Sequence, residues 1–365
     1  MPEQKQRDSN LELLRIIGML AITAYHFQIQ SPIASVPPDS PQSCLAWFFG
    51  GFGRAGVDVF VLIGAWFLID MPFRSIRFVR LYLTTLFYTV TVSLTFLFLG
   101  LNTNSIYQQL SFAFLPFSSA SLWFSTSYLF LLFMTPFLNL FIQTLSPRLY
   151  RVLYWFLIIV FIVLMSKPGV SARWALLSDT FFFLVIYLIV GYWKKVQEPF
   201  LANRTRALQC TLVLIAGCAM ACTAIYLLSG HPGLVKVLRK EYVNMTRFLN
   251  SVFCFGLASS LFFLFRSFSF SSSIINRIAK NLLGVYILPS VPCLIPFVWR
   301  GFHVEKWWNT PYFLLGALGT VLAVFFGSWL IDCLREWLMS PIYRTGWMKR
   351  FLAKVDSFFM EEQKS

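Results

Sequence analysis

Apolar segments of about 15 to 25 residues recur along the chain without the alternation of polar and apolar residues that marks half-buried strands. Hydrophobic residues make up 58% of the 365 residues and charged residues only 12%, whereas soluble domains carry about 25% charged residues. Inside a bilayer the backbone polar groups must be satisfied within helices or closed barrels, and a barrel needs alternating segments. The sequence therefore predicts an all-α integral membrane protein, built as a polytopic helical bundle.

The hydrophobic pattern predicts about ten transmembrane helices, near residues 11–30, 47–69, 79–100, 122–143, 149–166, 174–193, 207–229, 248–268, 280–300 and 311–332. An even number of crossings places both termini on the same side of the membrane. Basic residues concentrate in the connections that a cytoplasmic amino terminus would place inside, and the outer connections 31–44 and 101–121 contain no Lys or Arg. We therefore expect a multi-pass cell-membrane protein with both termini in the cytoplasm.

The net charge of +15 does not form a nucleic-acid patch, because the basic residues lie between apolar segments, where they set topology and meet membrane lipids. One connection departs from this pattern. Residues 231–247 carry Lys236, Arg239, Lys240 and Arg247, although the predicted topology places them outside. Either this segment is functional and meets an anionic substrate, or a helix between residues 200 and 270 is miscounted.

The chain divides into a transmembrane domain over residues 1–333 and a tail over residues 334–365. The tail alternates basic residues with Trp, Phe and Leu, which is typical of an amphipathic helix on the inner membrane surface. No Cys-x-x-Cys pair is present and the three histidines are dispersed, so the sequence predicts no metal site.

The first apolar segment carries two ionisable residues, Arg15 and His26. They are eleven positions apart, so on a helix both project from nearly the same face, separated by about 16 Å along the axis. Ionisable residues within a membrane helix usually face a cavity or a partner because exposure to lipid is costly. The segment predicts a polar seam entering the membrane. The alternative is that Arg15 extends to the interface and His26 is an incidental polar residue near the other end.

Three arginines, Arg74, Arg77 and Arg80, follow one another at three-residue spacing. Guanidinium groups bind phosphate oxygens through paired, charge-assisted hydrogen bonds, so the cluster suits a phosphorylated donor such as a coenzyme A thioester. The competing interpretation is ordinary charge at the cytoplasmic end of a membrane helix.

The second apolar segment begins with Arg54 and Asp58 at i, i+4 spacing, which allows an ion pair that would neutralise an acid in the membrane. Trp123 lies near the predicted outer end of the fourth helix, where tryptophan commonly anchors a helix at the interface.

Together these stretches resemble the membrane acyltransferases of the type 3 family, bacterial enzymes that O-acylate cell-surface polysaccharides. The resemblance is carried by Arg-x10-His in LELLRIIGMLAITAYHF, by GRAGVDVFVLIGAWFL, by Arg-x-x-Arg at Arg77 and Arg80, and by LWFSTSYLFLLFMTPFLN. Two departures stand out. The usual Ser-Gly pair of the second helix is Gly64-Ala65, and a stretch that in many relatives ends in His reads GVYILP, ending at Pro289.

The resemblance implies a transmembrane acyltransferase domain over residues 1–333. That domain would move an acyl group, an acetyl group by expectation, from cytoplasmic acyl-CoA (acetyl-CoA) to a hydroxyl of a saccharide acceptor. It also implies catalytic roles for the following residues: His26, Arg15 and Asp58.

His26 would act as a general base or accept the acyl group itself, with Asp58 orienting it or stabilising its protonated form. The implied donor-binding residues are Arg74, Arg77 and Arg80. Trp123 and Arg54 are the expected substrate-binding residues.

Two other functions compete with this one. The chain could be a non-enzymatic exporter of lipid-linked sugar or polysaccharide that uses the same polar seam, although transporters commonly show internal repeats that are not evident here. It could also be an inactive relative, as the Pro289 departure allows.

Overall fold

A computed structural model describes residues 8–36, 40–101, 105–118, 120–164, 166 and 179–362. These residues contain helices and connections but no strand. The α-helices in chain order are α1 Ser9–Gln30, α2 Pro41–Gly50, α3 Gly53–Leu68, α4 Ser75–Phe98, α5 Ile106–Phe114, α6 Trp123–Thr144, α7 Pro147–Leu157, α8 Asp179–Lys195, α9 Arg204–Leu227, α10 Pro232–Arg247, α11 Val252–Arg266, α12 Ser273–Ala279, α13 Leu282–Ile287, α14 Ile295–Arg300, α15 Phe313–Arg344 and α16 Gly346–Glu362.

Within the described ranges, six helical segments are long and apolar enough to cross a membrane, and up to eight if each of two bent pairs forms one span. The all-helical, multi-pass prediction is therefore confirmed, but the number of about ten spans is not. The six are Pro41–Leu68, Ser75–Phe98, Ala120–Thr144, Pro147–Leu164, Arg204–Leu227 and Phe313–Arg344.

Particular elements explain why the predicted number of spans is not confirmed. The predicted helix 280–300 is broken, since Leu282–Ser290 and Ile295–Lys306 meet at 94°. The predicted helix 174–193 begins outside the described residues, and its described part, α8, is 17 residues long. α1 is a single helix of 22 residues, but its polar side chains reduce its apolarity.

α1 lies at the centre of the bundle and packs against α3, α11, α12 and α15. The tightest approach is to α3, where a methyl group added to Gly56 would lie 2.5 Å from the carbonyl oxygen of Gly18. Glycine at both positions lets the two backbones touch, as small residues do in membrane helix interfaces. This contact sets how the polar residues of α1 face those of α3.

Hydrogen bonds fix the beginning of α1. Asn10 Nδ2 donates to the carbonyl oxygens of Phe265 and Phe268 at 3.0 and 2.9 Å, and Ser9 Oγ donates to Asn276 Oδ1 at 3.0 Å. These bonds satisfy carbonyls at the end of α11, where intrahelical donors run out. α1 is thus held in register with α11 and α12.

The last two helices, α15 and α16, both pack against other helices of the bundle. α15 continues through residue 333 to Arg344, so the predicted domain boundary falls within this helix. α16 then packs on the start of α4, where Asp356 Oδ1 accepts a hydrogen bond of 2.7 Å from the Ser75 backbone N–H. A carboxylate at a helix amino terminus is favourable because it meets free N–H groups and the positive end of the helix dipole.

Within α15, Asp332 is fully buried and accepts hydrogen bonds from Tyr88 at 2.7 Å and from Arg335 Nε at 2.6 Å. Gly284 of α13 lies directly against the Asp332 carboxylate, leaving no space for a side chain. The charged pair is buried together, which offsets the cost of removing either charge from water. It joins α4, α13 and α15.

Gly56→Ala is expected to lower the free energy of unfolding by about 1 to 3 kcal/mol, because the added methyl group overpacks the α1–α3 contact. Denaturation of the detergent-solubilised protein measures this. Gly217→Ala is the matched control, since no atom outside its own helix lies within 4 Å of the added carbon. The control should be neutral or slightly stabilising. Equal destabilisation by both substitutions would contradict the importance of this contact.

Candidate functional site

A cavity of about 190 Å³ lies between the end of α1, the start of α3, the start of α6 and the break after α13. Its polar and aromatic lining is formed by His26, Arg54, Trp123, Tyr286 and Ser290 together with Tyr25, Gln30 and Ser121. His26, Arg54 and Trp123 were singled out from the sequence, and the structure brings all three to one cavity. The imidazole therefore lines a partly open cavity with polar and aromatic walls.

His26 reaches the cavity from the last turns of α1. Its ring centroid lies 5.9 Å from that of Tyr25 and 6.5 Å from that of Tyr286. Arg54 is close enough to act on the imidazole electrostatically. No described residue hydrogen-bonds to either ring nitrogen of His26. A neutral imidazole can therefore accept a proton or a hydrogen bond from another group.

Arg54 lines the cavity and contacts both Trp123 and Asp179. Its guanidinium carbon lies 4.6 Å from the centroid of the Trp123 ring, a cation–π arrangement, and its Nη1 lies 3.4 Å from Asp179 Oδ2. Its Nε is buried and has no hydrogen-bond partner among the described residues. Trp123 thus contacts a charged side chain within the bundle, beyond the interfacial anchoring that its position predicted.

The pair between Arg54 and Asp58 that their spacing predicted is not formed as a hydrogen-bonded ion pair. Arg54 lies in the first turn of α3 and extends towards the start of α8, where Asp179 accepts its hydrogen bond. Asp58 is fully buried, and neither of its carboxylate oxygens has a hydrogen-bond partner in the described part of the chain. Spacing in the sequence predicts only neighbours on the same helix, whereas the partner of Arg54 lies on a different helix, α8.

No hydrogen bond or ion pair joins Asp58 to His26 among the described residues. Asp58 is absent from the cavity lining, and its electrostatic neighbours are Arg54, Asp179 and Cys254. The sequence predicted that Asp58 orients the imidazole. The structure shows no hydrogen bond between the two through which it could do so.

Three residues of this site were missed from the sequence. Asp179 opens α8, and Tyr286 and Ser290 flank Pro289 at the break after α13. Tyr286 donates a hydrogen bond to the Ser121 carbonyl at 3.4 Å. The signal for the last two was present in GVYILPS, because a proline inside a helical pattern marks an interruption that turns nearby side chains towards a cavity.

The opposite end of α1 has a second polar cluster. Arg15 forms an ion pair with Glu12 at 3.2 Å, and both Arg15 and Arg77 are within electrostatic range of the Tyr128 hydroxyl group. That hydroxyl group occupies the space against Gly64 where a side chain would otherwise lie. Gly64 stands where the family usually has Ser, and the Tyr128 side chain fills the space beside it.

Arg74, Arg77 and Arg80 lie in different environments. Arg77 is half-buried and lies near Tyr128, with its Nη2 3.0 Å from Met71 Sδ. Arg80 is exposed, stacks over Tyr343 at 5.1 Å and lines an open cavity of about 540 Å³. That cavity also contains Arg277, Lys280 and Arg344. Arg74 precedes α4 and is exposed.

Asp70 fixes the connection between α3 and α4 that carries Met71 and Pro72. It pairs with both Lys194 and Lys195 at the end of α8. Partial burial by itself raises the pKa of Asp70, but the hydrogen bonds and charges of the two lysines outweigh it and hold the pKa below its usual value. The connection beside Arg77 is thereby held to α8.

Aromatic rings separate the two polar ends of α1. Phe124 is buried, with its ring centroid 5.2 Å from that of Tyr286 and 5.7 Å from that of Tyr128. Tyr286 lines the His26 cavity, and Tyr128 is within electrostatic range of Arg15 and Arg77. The direct path between the two ends is filled by a column of these three rings in this conformation.

No group of three or more His, Cys, Asp or Glu residues that could hold a metal ion occurs in the part of the chain that the structure describes. Comparison with known proteins gives one finding. A family model, described as an acyltransferase domain of type 3, matches residues 8–338. No curated protein and no solved structure matches significantly. The matched segment contains the residues at both polar ends of α1, from Arg15, Arg77 and Tyr128 to His26, Arg54 and Trp123. The chain belongs to the acyltransferase type 3 family.

Proposed function

We propose that the protein transfers an acyl group from cytoplasmic acyl-CoA, acetyl-CoA by expectation, to a hydroxyl of a cell-surface or exopolysaccharide sugar. Membership of an acyltransferase family supports the reaction class. The observation that carries the proposal is the cavity in which His26, Arg54 and Trp123 meet. A proton acceptor, a cation and an aromatic surface are the groups that transfer to a sugar hydroxyl requires.

The donor would bind at the Arg15 end of α1, which this proposal places at the cytoplasmic side. Arg77 beside Tyr128, with Arg74 and Arg80 nearby, would bind the phosphates of coenzyme A through charge-assisted hydrogen bonds. Arg15 would line the route of the thioester. The helical rise from Arg15 to His26 is about 16 Å, a distance suited to the extended pantetheine arm.

In the direct reaction, His26 removes the proton of the sugar hydroxyl as the oxygen attacks the thioester carbonyl carbon. The new C–O bond forms, the C–S bond breaks, and the thiolate of coenzyme A takes the proton from the imidazolium. Arg54 Nε, a buried donor without a partner among the described residues, would donate to the developing oxyanion. Trp123 holds the guanidinium in place.

In the relay version, a ring nitrogen of His26 attacks the thioester, and coenzyme A leaves as the thiol with the imidazole proton. The sugar hydroxyl then attacks the acyl-imidazole, returns the imidazole to its neutral form and forms the ester. Both versions place the same demands on His26 and Arg54. They differ in whether acylated protein accumulates when the acceptor is withheld.

His26→Asn is expected to lower acyl transfer at least 100-fold, because general-base catalysis contributes about 10² to 10⁴. The measurement uses purified full-length protein, labelled acetyl-CoA and a saccharide acceptor, with ester and free acetate both quantified. His303→Asn is the matched control, since His303 is exposed and has a positive φ of 47° that asparagine tolerates. Normal transfer by His26→Asn would remove His26 from the reaction, and a wild-type protein that neither hydrolyses nor transfers acetyl groups would favour the exporter.

Phe124→Ala is expected to raise acceptor-independent hydrolysis of acetyl-CoA several-fold, because removing the central ring opens the path between the donor end and the His26 cavity to water. Acetate release from labelled acetyl-CoA measures this. Phe182→Ala removes an equally buried ring that packs on Phe255, and it controls for the loss of stability expected when a buried phenylalanine is truncated. If the two variants hydrolyse acetyl-CoA at the same rate, Phe124 is not a barrier.

A further inference from the structure

α10 carries an unusual concentration of positive charge beside the His26 cavity. Within its 16 residues lie Lys236, Arg239, Lys240 and Arg247, and its single acid, Glu241, accepts a hydrogen bond from Asn244. α10 packs against α3, α9 and α11. This is the basic segment that the sequence places on the outer side of the membrane, where Lys and Arg are usually scarce.

Two of these cations turn inward. The guanidinium carbon of Arg239 lies 4.9 Å from the Trp47 ring centroid, and that of Arg247 lies 5.6 Å from the same centroid. Arg247 Nη2 also donates to Gln28 Oε1 of α1 at 3.2 Å. Both side chains are half-buried. Neither forms a salt bridge with any residue that the structure describes.

Space for a ligand adjoins Arg239. An open cavity of about 390 Å³ is lined by Arg239 and Lys236 together with Ser229, Pro232 and Val235. A partly desolvated arginine binds a carboxylate or phosphate more strongly than an exposed one, since water competes less for its hydrogen bonds.

Tyr25 connects this group to the candidate active site. Its ring centroid lies 5.9 Å from the guanidinium carbon of Arg247 on one side and 5.9 Å from that of Arg54 on the other. Tyr25 itself lines the His26 cavity. Arg239, Arg247 and Arg54 therefore form a series of cations, separated by aromatic rings, that ends beside His26.

We propose that Arg239 and Arg247 bind an anionic group of the acceptor, which makes the acceptor an acidic saccharide bearing a carboxylate or phosphate. The proposal rests on the proposed acyl transfer and adds the substrate class. An anionic group at Arg247 would lie one aromatic side chain away from Arg54, and a neighbouring sugar hydroxyl would enter the His26 cavity. Anionic lipid headgroups would instead meet the exposed Lys236 and Lys240, which does not explain why the arginines turn towards α1 and α2.

Binding of a panel of oligosaccharides to purified full-length protein tests this proposal. The panel contains uronate, sialate and sugar-phosphate members, each with a neutral counterpart of the same size. At least one acidic member should bind wild-type protein about tenfold more tightly than its neutral counterpart, with a preference that weakens as ionic strength rises. Arg247→Gln should abolish the preference, while Arg300→Gln, which removes an exposed arginine of α14, should preserve it.

Other outcomes overturn the proposal. One is equal binding of every acidic and neutral pair. Another is an effect of Arg247→Gln confined to affinity for phosphatidylglycerol vesicles over phosphatidylcholine vesicles, which would assign α10 to the lipid surface. Transfer of labelled acetyl groups from acetyl-CoA to the panel saccharides, and release of free acetate, are measured with wild-type protein in parallel. Turnover of acetyl-CoA without a preference for acidic saccharides contradicts only the acceptor class, whereas the absence of both ester and free acetate contradicts the proposed acyl transfer itself.

Discussion

The contact between the backbones of α1 and α3 at Gly18 and Gly56 is the constraint on which the rest of the structure depends. A helix that carries Arg15 and His26 is costly in a membrane unless its polar face is covered. Close approach of α3 covers that face and brings Arg54 to the same end as His26. Larger side chains at the crossing would separate the helices and open the cavity to lipid. The glycines and the ionisable residues are thus two parts of one arrangement.

The covered face is divided. Arg15, Tyr128 and Arg77 form one polar end, and His26, Arg54 and Trp123 form the other, with Phe124 between them. A reaction that joins a phosphorylated donor at one end to a hydroxyl at the other needs a route through the aromatic column. A closed column would also keep water from the thioester while the acceptor site is empty, since excluding water prevents wasteful hydrolysis. Tyr286, just before the break after α13, is the ring of the column that lines the cavity.

Sequence reasoning located the residues that helical periodicity and charge reveal. Arg15 and His26 share a helix, so their common direction followed from geometry, and the Arg-x10-His and Arg-x-x-Arg stretches carried the family. Tertiary partners were not accessible in this way. Asp179 is 125 residues from Arg54, and no local pattern announces that it, not Asp58, receives the hydrogen bond. The predicted number of helices is not confirmed, because the helical pattern is interrupted near Pro289 and because polar side chains lower the hydropathy of a central helix.

The central claim is that an acyl group passes along the covered face of α1 from one side of the membrane to the other. Its most direct test uses proteoliposomes of uniform orientation, with labelled acetyl-CoA supplied only at the Arg77 side and a saccharide acceptor sealed at the His26 side. Labelled ester should then form on the sealed saccharide without mixing of the two compartments. Ester formation only when donor and acceptor share one compartment would contradict passage through the protein.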